Sequence, residues 1–194
     1  MRRRLAILVP AALVLVAALL VVDALTDGPT EADERTITAY VTGYSYFDNT
    51  PPRSDAISHP VVHRRAGGKG TYADPITVAV GHSRAHGRDA LDWAPGTRFY
   101  VPSLRRYLVV EDTCGDGSRP QDGPCHTGYP KGASTWLDVW VGGAREARSR
   151  SDACMSSISR IATVVVDPAR DYVVSAGPLS DSSCRVYGDT PERR

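Results

Sequence analysis

The sequence shows no excess of either charge sign. With Arg2, Arg3, Arg4 and Asp23 set aside, its 194 residues hold 20 basic and 21 acidic side chains. Such a balance offers no field to steer a nucleic acid or an anionic membrane surface, so neither is expected as a partner. Metal motifs are missing too. There is no Cys-x-x-Cys and no matched His pair beside a Cys, which excludes the usual structural zinc sites. His59/His63 and His82/His86 are each four apart, but Pro60, Gly81 and Gly87 deny them the helix that would align the rings. No metal and no cofactor is therefore expected. Gly-x-Ser-x-Gly is absent, and Gly67-Gly68-Lys69-Gly70-Thr71 lacks the spacing and preceding strand of a phosphate loop. Internal repeats and low-complexity tracts are lacking as well.

What the chain does have begins at its first residues. Three arginines precede an uncharged apolar run over residues 5–22, the pattern of an export signal. The run spans 18 residues, just enough to cross a bilayer if it stays uncleaved. Residues 1–24 thus read as a signal peptide or an N-terminal anchor with its arginines inside. Both readings place the body outside the cytoplasm, secreted or tethered. Residues 25–35 are polar, contain Gly28 and Pro29, and suit a linker. The remainder is long enough for one domain with a proper core.

Four cysteines lie on the exported side, where thiols oxidise: Cys114, Cys125, Cys154 and Cys184. Three pairings are possible. Cys114–Cys125 with Cys154–Cys184 is favoured, because the first pair closes a Gly/Pro/Asp loop that otherwise holds little shape. In the chain-entropy description such a closure contributes roughly 3 kcal/mol.

Strand patterns recur at 36–42, 76–80, 97–101, 107–111, 136–141, 161–166 and 172–175, punctuated by Pro95-Gly96 and Pro102-Ser103. One stretch, 149–158, looks helical, with Asp152 in its first turn and Ala153, Cys154 and Ile158 directed inward. Seven or so short strands with one helix predict a small all-β barrel. Residues 44–72 form a turn-rich connection too long to be passive in a compact domain.

Two aspartates stand out. Asp112, in Val109-Val110-Glu111-Asp112-Thr113-Cys114-Gly115, and Asp138, in Trp136-Leu137-Asp138-Val139-Trp140-Val141, both interrupt strand-forming apolar runs. A carboxylate withdrawn from water is costly unless paired or hydrogen-bonded. Two such residues point to a chemical use, or else to turn caps that satisfy backbone donors.

The order Ala79-Val80, Pro95-Gly96-Thr97-Arg98-Phe99-Tyr100-Val101-Pro102, Val110-Glu111-Asp112-Thr113-x-Gly115 and Leu137-Asp138-Val139-Trp140 resembles the double-psi β-barrel superfamily. The likeness is to the three-aspartate domain of A-type lytic transglycosylases and to rare-lipoprotein-A-like and expansin-like barrels, over residues 76–142. It implies a six- to seven-stranded double-psi β-barrel over 36–187, with one short helix, long disulfide-braced loops and a polar tail at 188–194. It also implies that Asp138 stands at the transglycosylases' catalytic acid and Asp112 at their second aspartate. The first aspartate should follow Ala79-Val80, but Gly81 is there, and Cys114 replaces the first Gly of the corner.

The expectation is an exported protein acting on cell-wall or envelope polysaccharide, peptidoglycan or β-glucan, with Asp138 as general acid/base. The alternative is a non-catalytic glycan-binding module. Apolar neighbours raise an acid's pKa and suit it to protonate a leaving oxygen. Hydrolysis with inversion needs a second carboxylate. Asp48 is the candidate, in a run that loosely resembles the Tyr-Trp-Asp start of barrel endoglucanases; its other reading is a turn cap before Asn49. Tyr44, Tyr46, Trp136, Trp140 and His82 are the candidate substrate-binding residues. Residues 136, 138 and 140 share one strand face, so the two tryptophans either flank the acid in a groove or belong to the core.

Overall fold

The computed structural model describes residues 34–180 and 184–194. The expected signal or anchor segment lies outside the described residues, as does nearly all of the linker. Among the described residues no helix is long and apolar enough to cross a membrane.

Seven strands form one mixed sheet: β1 (Arg35–Ser45), β2 (Ile76–Ser83), β3 (Ala90–Leu91), β4 (Arg98–Val101), β5 (Arg106–Cys114), β6 (Trp136–Gly142) and β7 (Arg160–Val166). Their order is β3-β2-β5-β4-β7-β1-β6, and β6 pairs with β2 as well as β1. The pairings of six strands therefore close into a ring, and β3 hangs on β2. Two pairs are parallel, β1 with β6 and β2 with β5; the rest are antiparallel. The all-β expectation holds.

Val, Ile and Leu dominate the strands because branched side chains fit a pleated, buried surface. Ala39, Val41, Val78, Val80, Leu108, Val110, Leu137, Val139, Val164 and Val166 meet in the main core. A second cluster joins Tyr100, Tyr107 and Tyr172, with Tyr100 and Tyr172 stacked at 4.5 Å. The hydroxyls of Tyr100 and Tyr107 donate to the carbonyls of Val173 and Ala169, which satisfies their polar ends in an apolar setting.

Both disulfides join the favoured pairs, Cys114–Cys125 and Cys154–Cys184, as suits an oxidising compartment. The first anchors the short helix α1 (Pro124–Thr127) to the end of β5; the second anchors α2 (Arg148–Ile158). α2 seats over β1 at Gly43, where an added Cβ would lie 2.6 Å from Val141 Cγ1 and 3.0 Å from Ile158 Cδ1.

Several expectations need correction. The helix buries Cys154 and Ile158 but exposes Ala153, since a third adjacent position leaves the buried stripe. Residues 172–175 are not a strand. Tyr172 makes a single bridge to Arg193, and Val173 donates to the Glu192 carbonyl. Consequently the polar residues near the C-terminus lie against this segment, held also by Arg193 with Glu34 at 2.6 Å. Three described elements went unforeseen, β3, α1 and a 3-10 turn at Pro120–Asp122, all too short to show a period.

Candidate functional site

A cleft of about 500 Å³ opens beside β2, β5 and β6. Its walls come from the turn after β1, residues 56–58, the end of β2 and the corner after β5. Asp48, Asp112 and Asp138 all line it, together with Tyr44 and His82.

Strand register explains the convergence. Asp138 on β6 lies beside Thr42 on β1 and Ala79 on β2, while Asp112 lies across from Ala79 on its other side. Each carboxylate projects from a strand backbone that the closed ring holds fixed. Asp138 is partly buried and makes one hydrogen bond, accepting from Thr42 Oγ1 at 2.6 Å on Oδ1. Its Oδ2 lies 4.0 Å from Cys114 Sγ; that sulfur is in a disulfide and has no proton to give. Loss of hydration, reinforced by the negative charges of Asp48 and Asp112 and opposed by Thr42, pushes the Asp138 carboxyl up to about 7.

Asp112 is held differently. Oδ1 accepts from the Ser58 amide and hydroxyl, both at 3.0 Å, and from the Thr113 amide at 2.9 Å. Oδ2 accepts from the Tyr44 hydroxyl at 2.9 Å. Burial nonetheless raises its pKa, against the opposing pull of these donors. Burial and the Asp112 charge together push the Tyr44 phenol well up, so it stays protonated as a donor. Asp48 caps its own turn, with Oδ1 accepting from the Ser45 amide at 2.8 Å and hydroxyl at 2.7 Å. The turn-capping reading of Asp48 is thus realised alongside its place in the cleft wall.

The other expected residues are distributed unevenly. His82 is buried, with Nδ1 at 2.6 Å from Asp89 Oδ1 and Nε2 at 3.0 Å from the Gly115 carbonyl. It braces the corner that carries Cys114. Tyr46, Trp136 and Trp140 do not line the cleft. Trp140 is buried edge-on against Tyr44, with ring centroids 5.2 Å apart. Trp136 packs edge-on with Tyr40 and donates its indole N–H to Thr42 Oγ1 at 2.6 Å. The shared face of residues 136, 138 and 140 is present, but β1 side chains cover its two tryptophans. Among the described residues, no group of three or more His, Cys, Asp or Glu side chains could hold a metal ion.

The family model described as the DDB_G0273701 N-terminal domain matches residues 36–185. The chain belongs to this family. A Dictyostelium discoideum protein, "Uncharacterized protein DDB_G0273701/DDB_G0273221", is 28% identical over 161 residues, which is 82% of this chain and 63% of its own length. The chain thus spans less than two thirds of that relative. No solved structure matches it.

In this member of the DDB_G0273701 N-terminal domain family, the cleft is shaped by residues that a motif search passes over. Thr42 donates to Asp138, and Ser58 is one of three residues that donate to Asp112; Thr42 was visible only as a strand residue, and Ser58 only as loop. Asp92 is another. It receives the His126 ring at 2.6 Å on Oδ1, and its Oδ2 would lie 2.4 Å from a Cβ built on Gly81. The Cys125 carbonyl oxygen would lie 2.5 Å from the same Cβ. Gly81 is therefore a contact site for α1 and for a second carboxylate, with no room for a side chain. Gly81→Ala is expected to cost about 1–3 kcal/mol through overpacking, read as a lower urea midpoint at unchanged slope.

Proposed function

We propose that the ring of six strands is a double-psi barrel, exported from the cytoplasm, whose cleft takes a cell-wall or envelope polysaccharide and cleaves its glycosidic bonds. The observation that carries this reading is Asp138, a partly buried carboxyl on the cleft wall held near neutrality, with Asp112 beside it. Such a group is half protonated at neutral pH and can both give and take a proton, the requirement for general acid/base catalysis. Two parallel strand pairs within a closed ring support the double-psi reading. The likeness to lytic transglycosylases supplies the substrate class. A single acid/base suffices there, because a hydroxyl of the sugar itself attacks the anomeric carbon.

Asp112 serves as an anchored neighbour whose charge adds to the effect of burial, the main reason that Asp138 holds its proton. Asp48, with one oxygen engaged in its turn, is the remaining carboxylate for activating a water if cleavage is hydrolytic. A second reading, glycan binding without cleavage, draws on Gly81, where the transglycosylases' first aspartate is replaced by close packing.

The test is digestion of purified peptidoglycan and of β-glucans by the full chain, with soluble products identified by mass spectrometry. Anhydro-sugar ends that vanish in Asp138→Asn are the expected result, with a rate that falls as pH rises through about 7. Reducing ends that vanish in Asp48→Asn would mean hydrolysis instead. Binding without products, unchanged in Asp138→Asn, would overturn cleavage and leave the binding module.

A further inference from the structure

We propose that Trp136 and Thr42 form a one-way hydrogen-bond relay that keeps the Asp138 proton on Oδ2, so that Thr42 is a positioning residue for the acid. The direction follows from what each group can do. An indole N–H only donates, so at 2.6 Å Thr42 Oγ1 accepts from Trp136. Thr42 has one proton to place, and the Asp138 Oδ1 atom 2.6 Å away is its acceptor. Were Asp138 to carry its proton on Oδ1, the hydroxyl would receive from both neighbours. Its own proton would then have no acceptor in a nearly closed site, a costly arrangement. The relay avoids this by making Oδ1 the accepting oxygen.

Among the described residues no hydrogen-bond donor reaches Oδ2. The disulfide sulfur of Cys114, itself a cleft residue, lies 4.0 Å away and has no proton to donate. A proton on Oδ2 is therefore free to be given to a ligand oxygen. The charged groups around the acid are Asp112 on β5 and Asp48 after β1, with Tyr44 on β1, His82 on β2, Arg84 after it and Asp116 after β5 in the same cleft. None of them is hydrogen-bonded to Asp138, so the relay alone distinguishes its two oxygens.

In the cleavage proposed above, on which the catalytic use of this relay rests, the Oδ2–H bond breaks as a bond forms from that proton to the leaving oxygen. The C–O bond to the leaving sugar breaks with its electron pair passing to that oxygen. The oxygen of the attacking hydroxyl forms the new bond to the anomeric carbon, and its proton passes to Oδ2, which restores the acid. Between these events the carboxylate charge is stabilised on Oδ1 by the Thr42 O–H.

Proton placement can be measured without any substrate, by following the Asp138 side-chain carboxyl carbon by NMR against pH, with Asp138→Asn identifying the signal. Thr42→Val keeps the strand-favouring shape and removes the donor. It is expected to raise the Asp138 pKa from about 7 by about one further unit, since a donor to the charged form is lost. Thr42→Ser is expected to restore the original value. Trp136→Phe frees the Thr42 hydroxyl to turn and should raise the pKa by a smaller step, which keeps the test available should Thr42→Val fold poorly. A pKa that falls in Thr42→Val would mean that Asp138 donates to Thr42, and an unchanged value would mean no coupling; either overturns the relay. A failed glycan digestion with the expected titration would overturn the cleavage reading and leave the proton placement standing.

Discussion

Asp138→Asn is expected to be more stable than the parent chain at pH 8, by about 1–3 kcal/mol, with the difference vanishing toward pH 4. The sign follows from proton linkage. In the unfolded chain an aspartate ionises near its ordinary value, whereas the folded state holds the proton until about pH 7. Between those two values the folded state binds more protons, so stability falls as pH rises through the window and levels off above it. Asparagine carries no charge at any pH and escapes that loss. Its side-chain oxygen can still accept from Thr42, and its amide can face the cleft. Water in the cleft screens part of the penalty, which is why the expected gain is less than the full shift implies. Thermal melts of both proteins from pH 4 to pH 8 provide the measurement. Equal stability at pH 8 would show that the carboxylate is well solvated, and would remove the physical basis for an acid poised at neutrality.

The strand skeleton was legible because each strand is an apolar run bounded by turn residues, and that signal lies within a few neighbours. The disulfide pairs were legible for a similar reason: only short loops make one pairing cheaper than the others. Asp112 and Asp138 stood out because a carboxylate is conspicuous in a strand, and both line one cleft. What stayed hidden depends on register. That Thr42 would lie beside Asp138, 96 positions away, follows from the parallel pairing of β1 with β6. The choice between groove and core for the tryptophans stayed open for the same cause, since only that register reveals Tyr40 and Tyr44 packed against them. Asp92 and its approach to Gly81 depend on where a disulfide draws α1, which no local pattern encodes. Glu111 drew notice only as part of a motif, although it organises the longest loop.

Glu111→Ala is expected to cost about 3–5 kcal/mol, the scale for breaking a buried charge pair from one side. Glu111 is fully buried on β5. Its Oε1 accepts from the amides of Val61, Val62 and His63 at 3.2, 2.6 and 2.7 Å. Oε2 accepts from Thr77 at 3.0 Å and meets His63 Nδ1 at 2.7 Å. The other ring nitrogen of His63 lies 3.0 Å from Asp74. Burial opposes charge on both partners, but the hydrogen bonds prevail: Glu111 is held below the usual carboxylate range and His63 above the usual imidazole range.

The two shifts fix the pH dependence of the loss. Glu111's contribution is fully present above its unfolded value, near 4.3, and disappears as pH falls through its lower folded value. His63's contribution is fully present below about 6.5 and disappears as pH rises through its higher folded value. The stability gap between parent and variant should therefore be widest at about pH 5–6 and narrow on either side. Urea unfolding at several pH values measures it, and a gap that is flat with pH would refute the ion pair. Because the His59 amide donates to the Glu111 backbone carbonyl at 2.8 Å, this clamp sits next to Ser58, one of the residues that secure Asp112. Losing it releases the loop wall of the cleft, so any ligand the cleft binds should bind more weakly in Glu111→Ala even where the fold survives. Glu111→Gln keeps one accepting oxygen for the three amides and should lose less stability, and its gap to the parent should still narrow at low pH, where the parent's Glu111 takes up its proton.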